Sequence, residues 1–258
     1  METILITGSS GQLGLTLKEL STGFKDIDFD FKSSKELDIT DPSSTNELFQ
    51  KNHFDFCINC AAYTNVEQAE KTPEPAFKVN AEGARNLAIA CKTNGTKLIH
   101  ISTDYVFDGE KEGPYTVEYI TNPINEYGKS KLKGEVFIRE LLPEHYILRT
   151  SWLYSKNYGH NFYRTIVKKA KERLELRITD QQMGCPTDTV TLAKYILNEI
   201  VMGDLEFGTY HITDKEPMTW FDFAKKILKE NGLTEQTSLV LDRNYRTFAQ
   251  RPKNSVII

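Results

Sequence analysis

Behind the short apolar run "TILIT" (Thr3 to Thr7) the chain turns through "TGSSGQLG", in which Gly8, Gly11 and Gly14 recur at every third position. A strand that passes into a helix through such a loop opens a βαβ unit, and each glycine has its own mechanical task. Gly8 allows the sharp exit from the strand, Gly11 lets backbone amides approach a pyrophosphate, and Gly14 permits close packing of helix on strand. The helix N-terminus behind them offers unpaired N–H groups and a partial positive charge to an anion. A glycine-rich turn without a ligand is the plainer alternative. Because this loop closes the first strand of an α/β pattern, a dinucleotide is the expected occupant.

The alternation continues. "DIDFDF" (Asp26 to Phe31), "DFCINC" (Asp55 to Cys60), "KLIHIS" (Lys97 to Ser102) and "YILRTS" (Tyr146 to Ser151) read as strands, most of them without polar alternation. Strands apolar on both faces belong to a parallel sheet covered by helices. Between them lie the helical stretches "QLGLTLKEL", "PSSTNELFQKN" with Pro42 in its first turn, and "PAFKVNAEGARNLAIACKTNG". The last of these carries Phe77, Leu87, Ile89 and Ala90 on overlapping faces and stops at Gly95, a residue suited to a left-handed cap. The expected fold is α/β, a Rossmann-type doubly wound parallel sheet over residues 1–150. A looser pattern follows over residues 151–258: helices near His160 to Arg173, after Pro186 and from Trp220 to Asn231, with strands at "ELRITD" and "TYHIT". This is expected to form a smaller substrate lobe partly interleaved with the sheet.

Charge and cysteine content exclude several classes. A net charge of −4 gives no basic field for nucleic acid. No apolar run approaches the roughly 20 residues of a membrane span, and no signal region is apparent, so a cytoplasmic protein is expected. Cys57 and Cys60 form a CxxC, but inside an apolar strand rather than at a helix N-terminus that would acidify a thiol, and Cys91 and Cys185 stand apart. Core packing is the expected role, and no metal site is expected.

The second strand and its exit, "DFDFKSSKELDITD", offer Asp28 or Asp30 to a ribose hydroxyl and Lys32 or Lys35 to a 2′-phosphate. The lysines favour NADP(H), with NAD(H) possible. The strand "KLIHIS" ends at "STDYVFDG", so Thr103 and Asp104 stand where ligands collect beyond the carboxyl ends of the strands. Next comes "NEYGKSKLKGE". Of the 12 tyrosines, only Tyr127 has a lysine, Lys131, four residues on. That spacing puts both on one helix face. Such a pair suits carbonyl reduction, because the developing alkoxide needs a proton, and an ammonium is expected to ease ionisation of a phenol of pKa about 10. Thr103 is expected to tune the phenol or hold the substrate oxygen. Spacing alone would fit a surface pair; the glycine loop and "STDY" favour catalysis.

Together these residues resemble the extended short-chain dehydrogenase/reductase family. The matching stretches are "ILITGSSGQLG", "ELDITD", "NCAAYTNVEQAE", "ISTDYVFDG", "YGKSKLKGE", "LRTSWLY", "GCPTDT" and "QRPKNS", in the family's order along nearly the whole chain. "GQLG", "DITD" and "RTSWLY" resemble in particular the members that reduce the C4 keto group of dTDP-4-dehydro-β-L-rhamnose, giving dTDP-L-rhamnose for cell-surface polysaccharide. The resemblance implies that Gly11, Gln12 and Leu13 line the pyrophosphate, Asp38 and Ile39 the adenine end, and Ala61 and Ala62 the inner edge of the dinucleotide. It makes Tyr127 the proton donor and Lys131 its partner, with Thr103, Asp104 and Trp152 against the sugar. Tyr105 stands where dehydratase relatives place a second acid, so simple reduction is implied. Family members usually continue past "RPxNS" with a further strand-like stretch and a helix, whereas this sequence ends at "RPKNSVII", which leaves Arg251 and Asn254 without firm roles. Rival readings are an epimerase or another 4-keto-sugar reductase of the same fold, and a non-catalytic cofactor-binding regulatory subunit. A homodimer is possible.

Overall fold

The computed structural model describes residues 1–258. In its first half it runs β1 (Glu2–Thr7), α1 (Gln12–Ser21), β2 (Ile27–Lys32), α2 (Pro42–Lys51), β3 (Phe56–Asn59), α3 (Val66–Lys71), α4 (Glu74–Phe77), α5 (Ala84–Asn94), β4 (Lys97–Thr103), α6 (Glu126–Leu141) and β5 (His145–Thr150). The second half contributes β6 (Leu153–Tyr154), α7 (Phe162–Lys171), β7 (Leu176–Ile178), β8 (Met183–Gly184), β9 (Thr187–Asp188), α8 (Thr189–Tyr195), β10 (Gly208–His211), β11 (Met218–Thr219), α9 (Trp220–Glu230) and β12 (Leu239–Leu241).

Six strands form one parallel sheet in the order β10-β5-β4-β3-β1-β2. The chain moves outward from β1 to β2, then returns to the other side of β1 for β3. That reversal opens a crevice at the carboxyl ends of β1 and β3, where ligands of open α/β sheets bind. Successive residues of β1 explain the absence of polar alternation: Ile4 and Ile6 enter one core with Leu13 and Leu17 of α1 and Leu192 of α8, while Leu5 enters the opposite core with Phe49, Leu87 and Ile138. Each residue of β1 has a helix-covered face to enter, so a polar side chain in mid-strand has no favourable place without a buried partner.

The expected third helix is interrupted. Between α4 and α5 the residues Lys78–Gly83 form a π-helical turn. Its Asn80 is buried and clamps three places at once, accepting from Tyr63 N at 2.8 Å and donating to Tyr63 O at 3.0 Å and Ser130 Oγ at 2.9 Å. The helix ends at Gly95 with φ +67°, as expected for a left-handed cap. Ile89, placed with the inner face by sequence, is 37% exposed, because two residues on from buried Leu87 it lies about 200° round α5.

A third core gathers Tyr154, Tyr163, Ile166, Leu176, Phe223, Ile227 and Leu228 from the later elements. It is built by α7 and α9 with the parallel pair β7–β12. From the same stretch, β10 crosses back and pairs with β5 at the edge of the main sheet. No helix is long and apolar enough to cross a membrane.

Candidate functional site

The glycine loop is built as a cradle. Gly8 adopts φ +63°, and a Cβ there would lie 2.6 Å from Ala61 N, so the turn at the end of β1 packs backbone to backbone against the residues following β3. Helix α1 then begins with no side chain capping its first amides. These N–H groups face a cavity of about 520 Å³ whose walls include Gly11, Gln12, Leu13, Ala61, Ala62, Thr103, Asp104, Tyr127, Lys131 and Trp152. Gln12 also ties this loop to the smaller lobe, donating to Leu153 O at 2.9 Å and accepting from Asn161 Nδ2 at 3.1 Å.

Four residues expected from sequence do not line this cavity. Gly8 and Gly14 lie beneath the loop, where Gly14 keeps the first turn of α1 against Ser9 and Gly8 O. Asp38 is exposed and accepts from its neighbour Thr40 through both N and Oγ1 at 2.9 and 2.8 Å, which holds its carboxyl low. Ile39 is buried in the core with its side chain against Gly83. Of the charges proposed to read the ribose, Lys32 and Asp30 pair with each other at 2.8 Å.

Helix α6 presents the central pair. Asn125 caps it, accepting from Gly128 N at 2.8 Å, and donates to Gln250 O at 2.9 Å. Tyr127 in the first turn stands edge-on to Tyr105, with ring centroids 5.9 Å apart. Lys131, one turn on, is buried; its Nζ donates to Ile101 O at 2.6 Å and lies 3.4 Å from His100 Nε2. The end of β4 supplies Thr103, whose Oγ1 donates to Asp104 Oδ1 at 3.0 Å and accepts from Tyr105 N at 3.2 Å. Asp104 Oδ2 accepts from Ser151 Oγ at 2.8 Å.

The electrostatics correct one expectation. Burial pushes the Tyr127 phenol well above its ordinary value; a hydrogen bond with Thr103 opposes this, while Asp104 and Tyr105 add to it. The net direction is thus opposite to the eased ionisation expected from Lys131, whose amine donates to Ile101 O of β4. A phenol held protonated is suited to giving a proton to an alkoxide, which is a far stronger base. Burial lowers Lys131 to about 8, against Glu135 and Cys60, and raises Asp104 to about 6, against the hydroxyls of Ser255, Ser151 and Thr103. Behind them burial would raise Glu135, but Arg149 and Ser102 hold it ionised, with Arg149 Nη2 at 2.7 Å.

Trp152 has φ +47°, an uncommon conformation for a bulky residue and one that concentrates at functional sites. Its indole stacks on Trp220 at 3.5 Å and 5°, and a Cβ on Gly184 would come within 2.5 Å of it. Trp220, His160, Phe162 and Arg251 join this wall and continue into a neighbouring cavity of about 750 Å³ that also holds Lys169, Arg177, Gln182 and Tyr245. Apart from Arg251 these residues carry no signal in the sequence, since they come from loops, the two helices α7 and α9 and the short strand β7, with no shared periodicity. Arg251 bonds Glu67 at 2.9 Å. The buried Thr150 hydroxyl in the first cavity has no partner. That orphan, the uncapped amides and the glycine cradle fit a phosphate-bearing polar cofactor.

A family model described as RmlD substrate binding domain matches residues 1–258. A protein of Aggregatibacter actinomycetemcomitans named dTDP-4-dehydrorhamnose reductase is 37% identical over 270 residues, spanning 100% of this chain and 90% of the relative. A Streptomyces niveus protein named dTDP-4-keto-6-deoxy-D-glucose reductase is 38% identical over 229 residues, spanning 88% of this chain and 78% of its own. The crystal structure of dTDP-4-dehydrorhamnose reductase from Bacillus anthracis in complex with NADP superposes with a TM-score of 0.92 at 41% identity, covering 100% of this chain and 90% of that one.

Proposed function

Because the chain belongs to the RmlD substrate binding domain family, we propose that it is an oxidoreductase that reduces the C4 keto group of dTDP-4-dehydro-β-L-rhamnose to give dTDP-L-rhamnose, using NADP(H). The observation that carries the reading is the meeting of Tyr127, Lys131, Thr103 and Asp104 in one cavity with the uncapped N-terminus of α1. The NADP complex of the Bacillus anthracis enzyme supports the choice of cofactor. The soluble sugar nucleotide and cofactor argue for action in the cytoplasm.

A reduced nicotinamide in the first cavity supplies the hydride. Gln12 and Leu13 hold the pyrophosphate through backbone amides and the α1 dipole, while Gly11, whose own N–H donates to Gly8 O at 2.9 Å, lets it approach the backbone. Tyr127 keeps its proton until negative charge develops on O4, then donates it. Thr103 orients the phenol, and Asp104 fixes Thr103 by accepting its hydroxyl hydrogen. Lys131 holds a polar group of the bound cofactor and adjusts the local potential. Trp152 gives the sugar a flat apolar wall. In the neighbouring cavity Lys169, Arg177 and Arg251 provide cationic charge for the substrate diphosphate. We propose residues 151–258 as mainly the substrate lobe, with residues 1–150 binding the dinucleotide.

The test is reduced-nicotinamide consumption by purified protein with dTDP-4-dehydro-β-L-rhamnose, run with NADPH and NADH in turn, with the product identified by NMR. Unchanged absorbance with both cofactors, with Tyr127→Phe indistinguishable from wild type, would end the proposal. The Streptomyces niveus relative favours a second reading, reduction of a different dTDP-4-keto sugar at the same site. A higher kcat/KM for dTDP-4-keto-6-deoxy-D-glucose would select it.

A further inference from the structure

Four buried groups from three adjacent strands and one helix form a line that ends at Lys131. Thr7 Oγ1 donates to Asn59 Oδ1 at 2.7 Å, and Ala61 N donates to the same oxygen at 3.1 Å. Asn59 Nδ2 faces His100 Nδ1 at 3.0 Å, and His100 Nε2 lies 3.4 Å from Lys131 Nζ. Thr7, Asn59, His100 and Lys131 are all buried.

Hydrogen-bond chemistry orients every member. A backbone N–H can only donate, so the bond from Ala61 requires the carboxamide oxygen of Asn59 on that side and its nitrogen towards His100. An amide nitrogen also only donates, so Nδ1 of His100 accepts. Burial, with Lys131 and His145 adding to it, keeps His100 uncharged at neutral pH. A neutral imidazole with an accepting Nδ1 carries its hydrogen on Nε2. That hydrogen points at Lys131. A neutral amine can accept it through its lone pair, whereas an ammonium has only hydrogens to present and meets another donor.

We propose that Asn59 and His100 are positioning residues that act through Lys131, with the histidine tautomer fixed by Asn59 so that the resting site holds the lysine proton less tightly than water does. Ile101 O does not discriminate, since it accepts from either form. The other titratable groups about Lys131 are Tyr127 and Glu135 on α6 and Cys60 beyond β3, and none of them hydrogen-bonds Nζ. For His100 to accept from an ammonium, its hydrogen must move to Nδ1 and the Asn59 amide must turn over. That turn would take the acceptor from Ala61 N. The charge on Lys131 is thereby linked to the backbone amide of Ala61, which lines the same cavity.

The catalytic consequence rests on the reading of Lys131 given above, but the lock is tested without substrate or cofactor. The free protein, labelled with 13C at the lysine ε-carbons, is titrated by NMR, with Lys131→Met assigning the resonance. In His100→Phe the Lys131 midpoint is expected to rise by about one unit, a tenfold gain in proton affinity. Asn59→Asp offers His100 only acceptor oxygens, moves the hydrogen to Nδ1 and raises the midpoint further. Part of that rise is the direct field of the new carboxylate, and Asn59→Asp with His100→Phe isolates it. An unchanged midpoint in His100→Phe would overturn the proposal. So would an Asn59→Asp shift of equal size with and without His100. His100→Gln, which keeps a polar group in the slot and can turn its carbonyl to the ammonium, is expected to raise the midpoint too and serves if the phenylalanine variant does not fold. In an active enzyme the same variants shift the corresponding limb of the kcat/KM profile by the same amount, and the midpoint is read whether or not the enzyme turns over.

Discussion

Tyr127, Lys131 and Asp104 carry opposite demands, and each makes its own expectation. Tyr127→Phe removes the proton source and should lower kcat/KM by about 10²–10⁴-fold. Cofactor affinity, read by fluorescence titration, should be nearly unchanged. Lys131 is lowered to about 8 in the fold, so between about 8 and its ordinary value of 10.5 the unfolded chain binds the extra proton. Stability of the wild type relative to Lys131→Met should therefore rise with pH across that window, by up to about 3 kcal/mol in denaturant titrations. Asp104 has the reverse sign. Its pKa is raised from 3.8 to about 6, so the folded state holds the proton more tightly and stability is lost as pH climbs through that interval. Asp104→Asn should abolish this loss, worth up to about 3 kcal/mol, and remove any limb near 6 from the kcat/KM profile. The Tyr127–Lys131 pair could be read in the sequence because a four-residue spacing on a helix fixes a shared face. The rise in the phenol pKa could not, since it depends on how much protein encloses the ring and on which way the lysine turns.

At the level of elements, the strands were legible within a residue or two at each end, because burial on both faces leaves runs of apolar residues that nothing else explains. The helices were legible where caps marked them: Pro42 starts α2 behind Asp41, and Gly95 ends α5. The π turn was not, since its extra residue leaves composition and approximate periodicity intact. That turn matters for α6, which approaches so closely that a Cβ on Gly134 would sit 2.2 Å from Asn80 O. Backbone is on the other side of the contact, so there is no flexible side chain to give way. Gly134→Ala should lower stability by about 1–3 kcal/mol. It should also reduce kcat by shifting Lys131, one turn away, with circular dichroism confirming an intact fold.

Across the whole molecule, the two cores flanking the sheet and the third core of the later elements are tied together over the groove by a few polar contacts. Gln12 reaches Leu153 and Asn161 on one side. On the other, Glu67 accepts from Phe248 N at 2.8 Å and from Arg251 Nη2 at 2.9 Å. Glu67→Gln should loosen the segment bearing Arg251 and raise KM for the sugar nucleotide about tenfold, equivalent to about 1.4 kcal/mol, with cofactor affinity kept. Steady-state kinetics with each substrate varied in turn separates the two. Sequence outlined this later half only coarsely, since its short strands pair across long distances in the chain. The chain has 2 tryptophans, and both belong to the face-to-face pair of Trp152 and Trp220 on the groove wall. Every indole photon the protein emits thus originates beside the cleft, and the near-ultraviolet dichroism of the coupled rings shares that origin. The molecule carries an intrinsic optical gauge of whatever enters, with no third indole elsewhere to blur the signal.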